Sequence, residues 1–263
     1  MRVVLGVALV GLVVCAGCGP PKPTREETIA AIKRLGGKVE VDENNDVVNV
    51  NLGGTKITGA GLVHLKGLTN LTSLNLYNTK VTDSGLVHLE GMTKLETLYI
   101  RATKITDAGL VHLKGMKNLG KLNLGFTNVA DAGLVHLKGL KNLTALDLTF
   151  TRVNDAGLTH LKELANLAGL TLMGTHVTDA GLAHLKGLSR LYFLYLQDTA
   201  VTDAGLVNLE GLTNLKSLHL GDTKVTDAGI KKLQQTLPNC RINLDSISDE
   251  VRAIIAEQLK GRD

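Results

Sequence analysis

The sequence is poor in aromatic residues: it contains no tryptophan, three phenylalanines and four tyrosines among 263 residues. So few rings argue against a base-stacking nucleic-acid module and against an aromatic-belted membrane barrel. The composition is still globular, with 44% hydrophobic and 21% charged residues, which excludes wholesale disorder. Glycine, with 29 residues, is frequent, and this combination indicates a simple motif repeated many times.

The number of cysteines and the net charge are also low. Three cysteines, Cys15, Cys18 and Cys240, are too few for a disulfide framework or a metal-binding knuckle. The formal net charge of +4 is too weak to imply a polyanionic partner, so no nucleic acid is predicted. The fold must therefore depend on its hydrophobic core, and no metal or cofactor is predicted.

Residues 1–17 have the pattern of a signal peptide. A basic Met1-Arg2 start precedes twelve apolar or glycine residues at 3–14, and small residues follow. The stretch is shorter than the roughly 20 residues that a permanent membrane span needs. We therefore expect it to be removed, which leaves a net charge of +3 because Arg2 is lost.

The end of this segment, Ala16-Gly17-Cys18, resembles a bacterial lipobox, although Cys15 occupies the position where leucine is usual. The resemblance implies lipidation of Cys18, with residues 18–24 as a linker. Acyl chains would hold the protein in the bacterial cell envelope, in the periplasm or on the outer surface. The alternative is ordinary cleavage near Gly17 with release of the protein.

A period of 24 residues organises the rest of the chain. In one copy, Leu74-Asn75-Leu76-Tyr77 alternates apolar with polar residues, which predicts a strand with one buried face. The same period places a threonine at eight positions, each predicted to bond the turn backbone of its own and the adjacent coil. These are Thr55, Thr79, Thr103, Thr127, Thr151, Thr175, Thr199 and Thr223.

The second half of each copy predicts a helix. Leu86, Leu89 and Met92 are spaced by three, with Asp83 placed to cap the N-terminus and Gly91 near the C-terminus. Neither a short strand nor a short helix can bury its apolar side alone. Stacked copies would form a parallel sheet on one side and helices on the other, with an aliphatic core between them.

The pattern L-x-x-L-x-L-x-x-T-x-[VI]-T-D-A-G-L over residues 47–245 resembles the leucine-rich repeat family. The resemblance implies an α/β solenoid: a curved right-handed coil with a parallel sheet on the concave side and helices on the convex side. The T-D-A-G-L phrase is most similar to the repeats of F-box substrate receptors. This chain lacks the cysteines of those repeats and any room for an F-box, so a ubiquitin-ligase role is not carried over.

Caps are predicted at both ends of the solenoid. Residues 25–46 form the N-terminal cap, which starts with a capping box between Thr24 and Glu27. Its helix places Ile29, Ile32 and Leu35 inward, and a hairpin then pairs Val39 and Val41 with Val48 and Val50.

Residues 246–263 are predicted to form a C-terminal capping helix. Ser248 opens this helix. The side chains expected to face inward are Val251, Ile254, Ile255 and Leu259.

No catalytic motif is present, and a non-enzymatic protein is predicted. The repeat carries histidine on the outward side of its helix, where the motif supplies no carboxylate; these are His64, His88, His112, His136, His160 and His184. A lysine series on the same side predicts a solvated face, the alternative being attraction to an anionic membrane. It comprises Lys66, Lys114, Lys138, Lys162 and Lys186, interrupted by Glu90 and Glu210.

The aromatic residues do not follow the repeat. All seven, including Tyr192, fall in strand segments, where we expect them outside the core on the sheet face. Large apolar groups exposed there are typical of a contact site, although they would also shield the sheet. The predicted partner-binding residues are Tyr77, Tyr99, Arg101, Phe126, Phe150, Phe193, Tyr195, Gln197, Asp198, His219 and Asp222.

Between the aromatic positions lie Gly169, Thr171, Met173 and Gly174, all small except Met173, and they predict a depression there. The sequence thus predicts a membrane-tethered recognition module that binds a protein or peptide through its concave sheet. Glycan binding and a structural role through lateral self-association remain the alternatives.

Overall fold

The computed structural model describes residues 23–260. The predicted signal peptide and Cys18 lie outside the described residues. Ten strands form one sheet in chain order; β1 is antiparallel to β2, and β2–β10 are parallel. The strands are β1 Lys38–Val41, β2 Val47–Asn51, β3 Ser73–Asn75, β4 Thr97–Tyr99, β5 Lys121–Asn123, β6 Ala145–Asp147, β7 Gly169–Thr171, β8 Phe193–Tyr195, β9 Ser217–His219 and β10 Arg241–Asn243.

Apart from the first helix, which precedes β1, and the last helix, the helices follow the strands on the opposite side of the core. The α-helices are α1 Arg25–Arg34, α2 Asp83–Leu86, α3 Asp131–Leu134, α4 Asp155–Leu158, α5 Asp179–Leu182, α6 Asp203–Leu206, α7 Asp227–Thr236 and α8 Asp249–Leu259. Turns of 3-10 helix occupy Gly59–Leu65, Val87–Leu89, Gly109–Leu113, Val135–Leu137, Ala183–Leu185 and Val207–Leu209. Leucines spaced by three suit the 3-10 geometry, in which residues i and i+3 lie above one another. Within residues 23–260 no helix has the length and apolar character needed to cross a membrane.

The core is a continuous stack of aliphatic side chains between the sheet and the helices. In the second coil Leu74 and Leu76 of the strand segment meet Leu86 and Leu89 of the helix, all fully buried. Equivalent residues of each coil join one cluster that extends from Ile32 to Cys240. This arrangement confirms the predicted leucine-rich repeat solenoid, with the sheet on its concave face and the helices on its convex face.

The threonine positions are structural, as predicted. Thr127 is fully buried, and its Oγ1 donates a 2.6 Å hydrogen bond to the Leu124 carbonyl oxygen. All eight threonines donate in this way to the carbonyl oxygen three residues earlier. These bonds confirm the predicted contact of each threonine with the turn backbone of its own coil.

The aspartate of T-D-A-G-L also connects adjacent coils, through hydrogen bonds of its side chain. Thr82, not Asp83, occupies the N-cap position of α2, so the predicted capping role of Asp83 was wrong. The Asp83 carboxylate accepts hydrogen bonds from the backbone N and Oγ1 of Thr106 in the next coil, at 2.8 and 2.6 Å. It therefore satisfies a backbone donor that the next turn leaves unpaired.

The N-terminal cap forms largely as predicted. Thr24 and Glu27 make a reciprocal capping box, and Ile32 is fully buried. The hairpin pairs Val39 with Val50, but its register shifts after Glu40. Val41 therefore pairs with Val47 and not with Val48 as predicted. Val47 lies in the core, and Val41 is 43% exposed.

The last helix, α8, does not cover the end of the core as expected. Its buried residue Ile255 clusters with Ile247 and Phe126. Ile254 was expected inward but is 58% exposed, and the side chain of Val251 lies outside the described residues. The end of the core is closed by the last repeat itself, where Leu233, Leu237 and Cys240 are buried.

Candidate functional site

The eleven predicted partner-binding residues separate into two groups. Six remain open on or beside the sheet face: Tyr99, Phe193, Tyr195, Gln197, Asp198 and His219. The other five contact or lie near helix α8 and the segment before it: Tyr77, Arg101, Phe126, Phe150 and Asp222.

The open group lies on or just after the strands β8 and β9, except for Tyr99 on β4. The Tyr195 and His219 rings stack at 4.4 Å between centroids, and Tyr192 meets Phe193 edge-on at 4.7 Å. Burial and the positive charge of Arg241 lower the pKa of His219, so this ring stacks as a neutral imidazole near pH 7. Phe193 is 44% exposed, as the sequence predicted.

A depression of about 310 Å³ lies beside this aromatic group. Ala145 and Gly169 form its floor, because alanine carries only a methyl group and glycine carries no side chain. The larger side chains of Tyr99 on one side and of Phe193 and Tyr195 on the other form its walls. The predicted depression is therefore present at Gly169 and Thr171. It does not extend to Met173, which packs in the cluster under α8, or to Gly174, against which the Phe150 ring lies.

Polar groups line the same depression. Lys121, Asn123 and Asp147 approach it from β5 and β6. Asn123 is held by accepting a 2.9 Å bond from the Gly125 amide, and Asp147 by accepting a 2.8 Å bond from the Thr149 amide. An apolar floor with fixed polar groups at its margin suits a ligand that offers both an apolar side chain and hydrogen-bonding groups.

Phe126 was expected on the exposed face and is instead only 2% exposed. Ile247 and Ile255 cover it, with Phe150 and Leu259 at the border of the cluster. The Phe126 and Phe150 rings meet at 5.1 Å, and the Arg101 guanidinium lies 4.2 Å from the Phe126 ring centroid. The prediction failed because the repeat pattern does not show that the C-terminal helix folds back over these turns.

Both phenylalanines have an unusual backbone. The φ angles of Phe126 and Phe150 are +53° and +49°, in the left-handed region that bulky residues rarely adopt. Equivalent positions hold Asn78, Gly174 and Asp198, which tolerate that region more easily. Burial of the Phe126 ring under α8, and partial burial of the Phe150 ring beside it, offset this local cost.

Polar contacts hold both ends of the α8 segment. At one end Asp222 Oδ2 accepts from the Ile247 amide at 2.9 Å and pairs with Arg252 at 2.8 Å. The Ile247 hydrogen bond is the main cause that lowers the pKa of Asp222. At the other end Gln258 donates to the Tyr77 hydroxyl at 3.0 Å. The α8 helix thus crosses the loops that follow the strands and occupies one border of the sheet face.

The remaining open residues, Gln197 and Asp198, lie on the turn after β8. Asp198 is exposed with a φ of +54°, and Gln197 is half-buried. The Gln197 Oε1 atom is buried without a hydrogen-bond partner among the described residues. This atom is an acceptor beside the aromatic group.

The convex histidines point away from the core, as predicted, but one has a carboxylate partner. His112 Nδ1 lies 2.6 Å from Glu90 Oε1 of the preceding coil, which corrects the expectation that no carboxylate is near. Burial, and then Lys114 and Lys138 respectively, lowers the pKa of His136 and His160. No group of three or more potential metal ligands comes together between residues 23 and 260.

Comparison with known proteins supports the leucine-rich repeat family, and the fold is that of its solenoids. A model described as "Leucine Rich repeats (2 copies)" matches residues 69–115, and one described as "Leucine Rich repeat" matches residues 139–161 and 211–233. Among curated proteins, none matches the chain.

Solved structures give the same result. The chain is similar to internalin C2 from Listeria monocytogenes, with 25% identity over 83% of this chain and 92% of that one, and a TM-score of 0.61. It also resembles the ectodomain of the Arabidopsis receptor kinase HAESA, solved with a peptide hormone, at 18% identity and a TM-score of 0.60. That match covers 78% of this chain and 35% of the receptor chain, and it shows the fold alone.

Leucine-rich repeat proteins generally act in protein–protein or ligand recognition. The fold is a recognition scaffold that is typically non-enzymatic, and no catalytic family is indicated by the matches.

Proposed function

We propose that this protein is a non-enzymatic recognition module that binds a protein or peptide segment at the depression on the sheet face. The depression carries the proposal, because an apolar floor of Ala145 and Gly169 lies between exposed rings. The Phe193 ring is 44% exposed and is not part of the hydrophobic core. Exposed aromatic rings beside a pocket supply much of the binding free energy at protein contacts.

The size and chemistry of the depression favour a polypeptide ligand. A volume of about 310 Å³ accommodates one anchoring side chain, and the open sheet on both sides lets the ligand chain continue. Lys121, Asn123 and Thr171 offer donors and acceptors to the backbone of such a segment. The peptide complex of the HAESA ectodomain is a case of peptide binding on the same kind of fold.

Helix α8 limits where the ligand lies. Helix α8 covers Phe126 and borders Phe150, so it occupies the edge of the sheet face where the loops follow the strands. The surface that stays free for a ligand extends over β4–β8. The proposed contact residues are therefore Tyr99, Lys121, Thr171, Phe193 and Tyr195. Phe126 is not among them.

We also propose that Cys18 carries a lipid and tethers the module to the cell envelope. The support is the Ala16-Gly17-Cys18 sequence alone. Wild-type protein should require detergent for extraction from membranes, and Cys18→Ser should appear in the soluble fraction. Extraction of the wild type by salt alone would contradict the lipid.

Site-specific photo-crosslinking in the native cells tests the recognition site. A photo-reactive amino acid at position 171, in the depression, should give a discrete adduct with a partner protein. The same amino acid at position 152, an exposed arginine away from the sheet face, is the matched control and should give none. Phe193→Ala with Tyr195→Ala should remove the adduct at position 171.

Two results would overturn the proposal. One is an adduct that forms from position 152 and not from position 171. The other is an adduct at position 171 that persists without the two rings. Adducts at multiples of the chain's own mass would instead support lateral self-association.

A further inference from the structure

The convex side of the solenoid carries a row of uncharged side chains, which are exposed except for the half-buried Thr159. The residue that follows the buried leucine of each helix is uncharged in seven consecutive coils. Five are valines, which are 39–52% exposed. The row comprises Val63, Val87, Val111, Val135, Thr159, Ala183 and Val207. Single exposed apolar residues are ordinary, but a continuous row on one ridge is typical of a contact surface.

A second row, three residues further along each helix, is mainly lysine. Residues three apart on a helix are neighbours, so each valine lies beside the charged residue of its own coil. The row comprises Lys66, Glu90, Lys114, Lys138, Lys162, Lys186 and Glu210. We call the two rows together the convex ridge. It extends over six coil steps, about 30 Å at the usual strand spacing.

The loops that return from the helices to the strands add more positive charge. With Lys94, Lys117, Lys141, Arg190 and Lys216, the ridge and its loops hold ten basic side chains against four acidic ones, Glu90, Glu96, Glu163 and Glu210. The opposite flank, formed by the segments that lead from each strand to the following helix, has a different charge balance. Its five basic residues, Lys56, Lys80, Lys104, Arg152 and Lys224, face seven aspartates of the T-D-A-G-L phrases. Positive charge is therefore concentrated on one side of the solenoid, where Lys114 and Lys138 also lower the pKa values of His136 and His160.

The N-terminal end of the described chain lies at the same side. Pro23 lines a cleft of about 800 Å³ together with Val63, His64 and Lys66 of the first coil. Five peptide steps separate Cys18 from Pro23, a reach of at most about 18 Å. If Cys18 carries the proposed lipid, the start of the convex ridge is held close to the bilayer.

We propose that the convex ridge lies against an anionic phospholipid surface, with the sheet face turned away from it. Lysines near such a surface are attracted to acidic headgroups, and their alkyl stems and the adjacent valines contact the interface. This orientation leaves the depression between Tyr99 and Phe193 open to a ligand. The inference is separate from the proposed ligand site, and it does not require the lipid on Cys18.

Vesicle co-sedimentation tests the surface. The protein used is the chain from residue 18 with Cys18→Ser, which contains the whole described fold and removes the proposed lipid from the experiment. It should bind vesicles that contain phosphatidylglycerol, should not bind pure phosphatidylcholine vesicles, and should be released by raised salt.

Two matched variants locate the binding face. Lys114→Glu, Lys138→Glu and Lys162→Glu reverse three charges on the convex ridge, and this should lower the partition coefficient by about 100-fold or more. Lys80→Glu, Lys104→Glu and Arg152→Glu make the same change in net charge on the opposite flank. This control should lower binding far less. Equal loss in both variants, or no binding of the parent chain to anionic vesicles, would overturn the proposal.

A polarity-sensitive dye gives the orientation directly. Burial raises the pKa of the Cys240 thiol, so a dye reacts with an introduced exposed cysteine instead. Dye at Val135→Cys should shift to shorter wavelength on anionic vesicles, while dye at Thr171→Cys on the sheet face should not. A shift at Thr171→Cys without one at Val135→Cys would show that the sheet face meets the lipid, contrary to the proposal.

Discussion

The Asp155 carboxylate joins two neighbouring coils through Thr178. It accepts from the Thr178 backbone N at 2.8 Å and from the Thr178 hydroxyl at 2.6 Å. The same pair recurs at Asp179 and Thr202, and at Asp203 and Thr226. In these coils the aspartate of the repeat therefore connects one coil to the next through hydrogen bonds.

Removal of this connection should destabilise the protein. Asp155→Ala leaves the Thr178 amide and hydroxyl without their acceptor, and we expect a loss of about 1–3 kcal/mol in the free energy of unfolding. Urea unfolding followed by circular dichroism measures it. Asp227→Ala is the control, because Asp227 holds the same motif position and accepts no such bond among the described residues. Equal losses in the two variants would refute the role of the inter-coil bond.

The glycine of T-D-A-G-L should be required because of the same aspartate. A Cβ on Gly181 would lie within van der Waals overlap of Asp155 Oδ1, so Gly181→Ala should cost about 1–3 kcal/mol. Gly211→Ala should be close to neutral, since nothing lies near its added Cβ. In the double variant with Asp155→Ala the cost of Gly181→Ala should fall markedly. Strict additivity would mean that another neighbour causes the clash.

Helix α8 should detach without unfolding the solenoid. Ile255→Asp places a charge in the cluster with Phe126, and this cluster is separate from the main core. We expect fast hydrogen exchange throughout α8 and an almost unchanged main unfolding transition. Ile254→Asp is the matched control and should leave exchange slow, because Ile254 is exposed. If the two variants behave alike, α8 does not dock through Ile255.

The docking of α8 should also weaken in acid. The hydrogen bond from the Ile247 amide, with further contributions from Ser246 and Arg252, holds the pKa of Asp222 below its usual value. The carboxylate therefore stabilises docking above the usual aspartate pKa, and this stabilisation is lost as the pH falls through the lowered folded value. Hydrogen exchange of the Ile247 amide, corrected for its intrinsic rate, should rise over that range.

Asp222→Asn is neutral at every pH and serves as the control for this titration. In that variant the exchange of the Ile247 amide should be faster at neutral pH and should show no step in the acid range. A step of the same size in Asp222→Asn would assign the effect to another group.

The period of 24 residues was sufficient to predict the sheet, the core and the threonine positions, because each of these depends on contacts that repeat in every coil. The role of Asp83 was missed for a physical reason. A repeat pattern shows which residues recur, but it does not show whether a side chain caps its own helix or reaches the next coil. The tight approach between Asp155 and Gly181 is visible only in three dimensions.

The candidate site was predicted in part for a similar reason. Gly169, Phe193 and Tyr195 lie on strands whose register the repeat determines, so the depression could be located from the sequence. The burial of Phe126 depends on Ile255, which is far away in sequence and outside the repeat. The amphipathic pattern of residues 249–259 predicts a helix with an apolar side, but it does not predict the surface that this side covers.

The valine row on the convex ridge was also missed, although the sequence contains its signal. Val63, Val87, Val111 and Val135 each precede a convex histidine by one residue at the same 24-residue interval. The histidines and lysines of this face, taken without the valines, are typical of a solvated surface.

The most direct test of the account is the affinity of the partner captured at position 171, measured by isothermal titration. Phe193→Ala with Tyr195→Ala should raise the dissociation constant by roughly 30-fold or more, since even one ring anchor often contributes about 2 kcal/mol. Thermal stability should stay nearly unchanged. The convex variant Val111→Ala with Val135→Ala should bind as the wild type does. Unchanged affinity without the two rings, together with a loss in the convex variant, would contradict recognition through the sheet face.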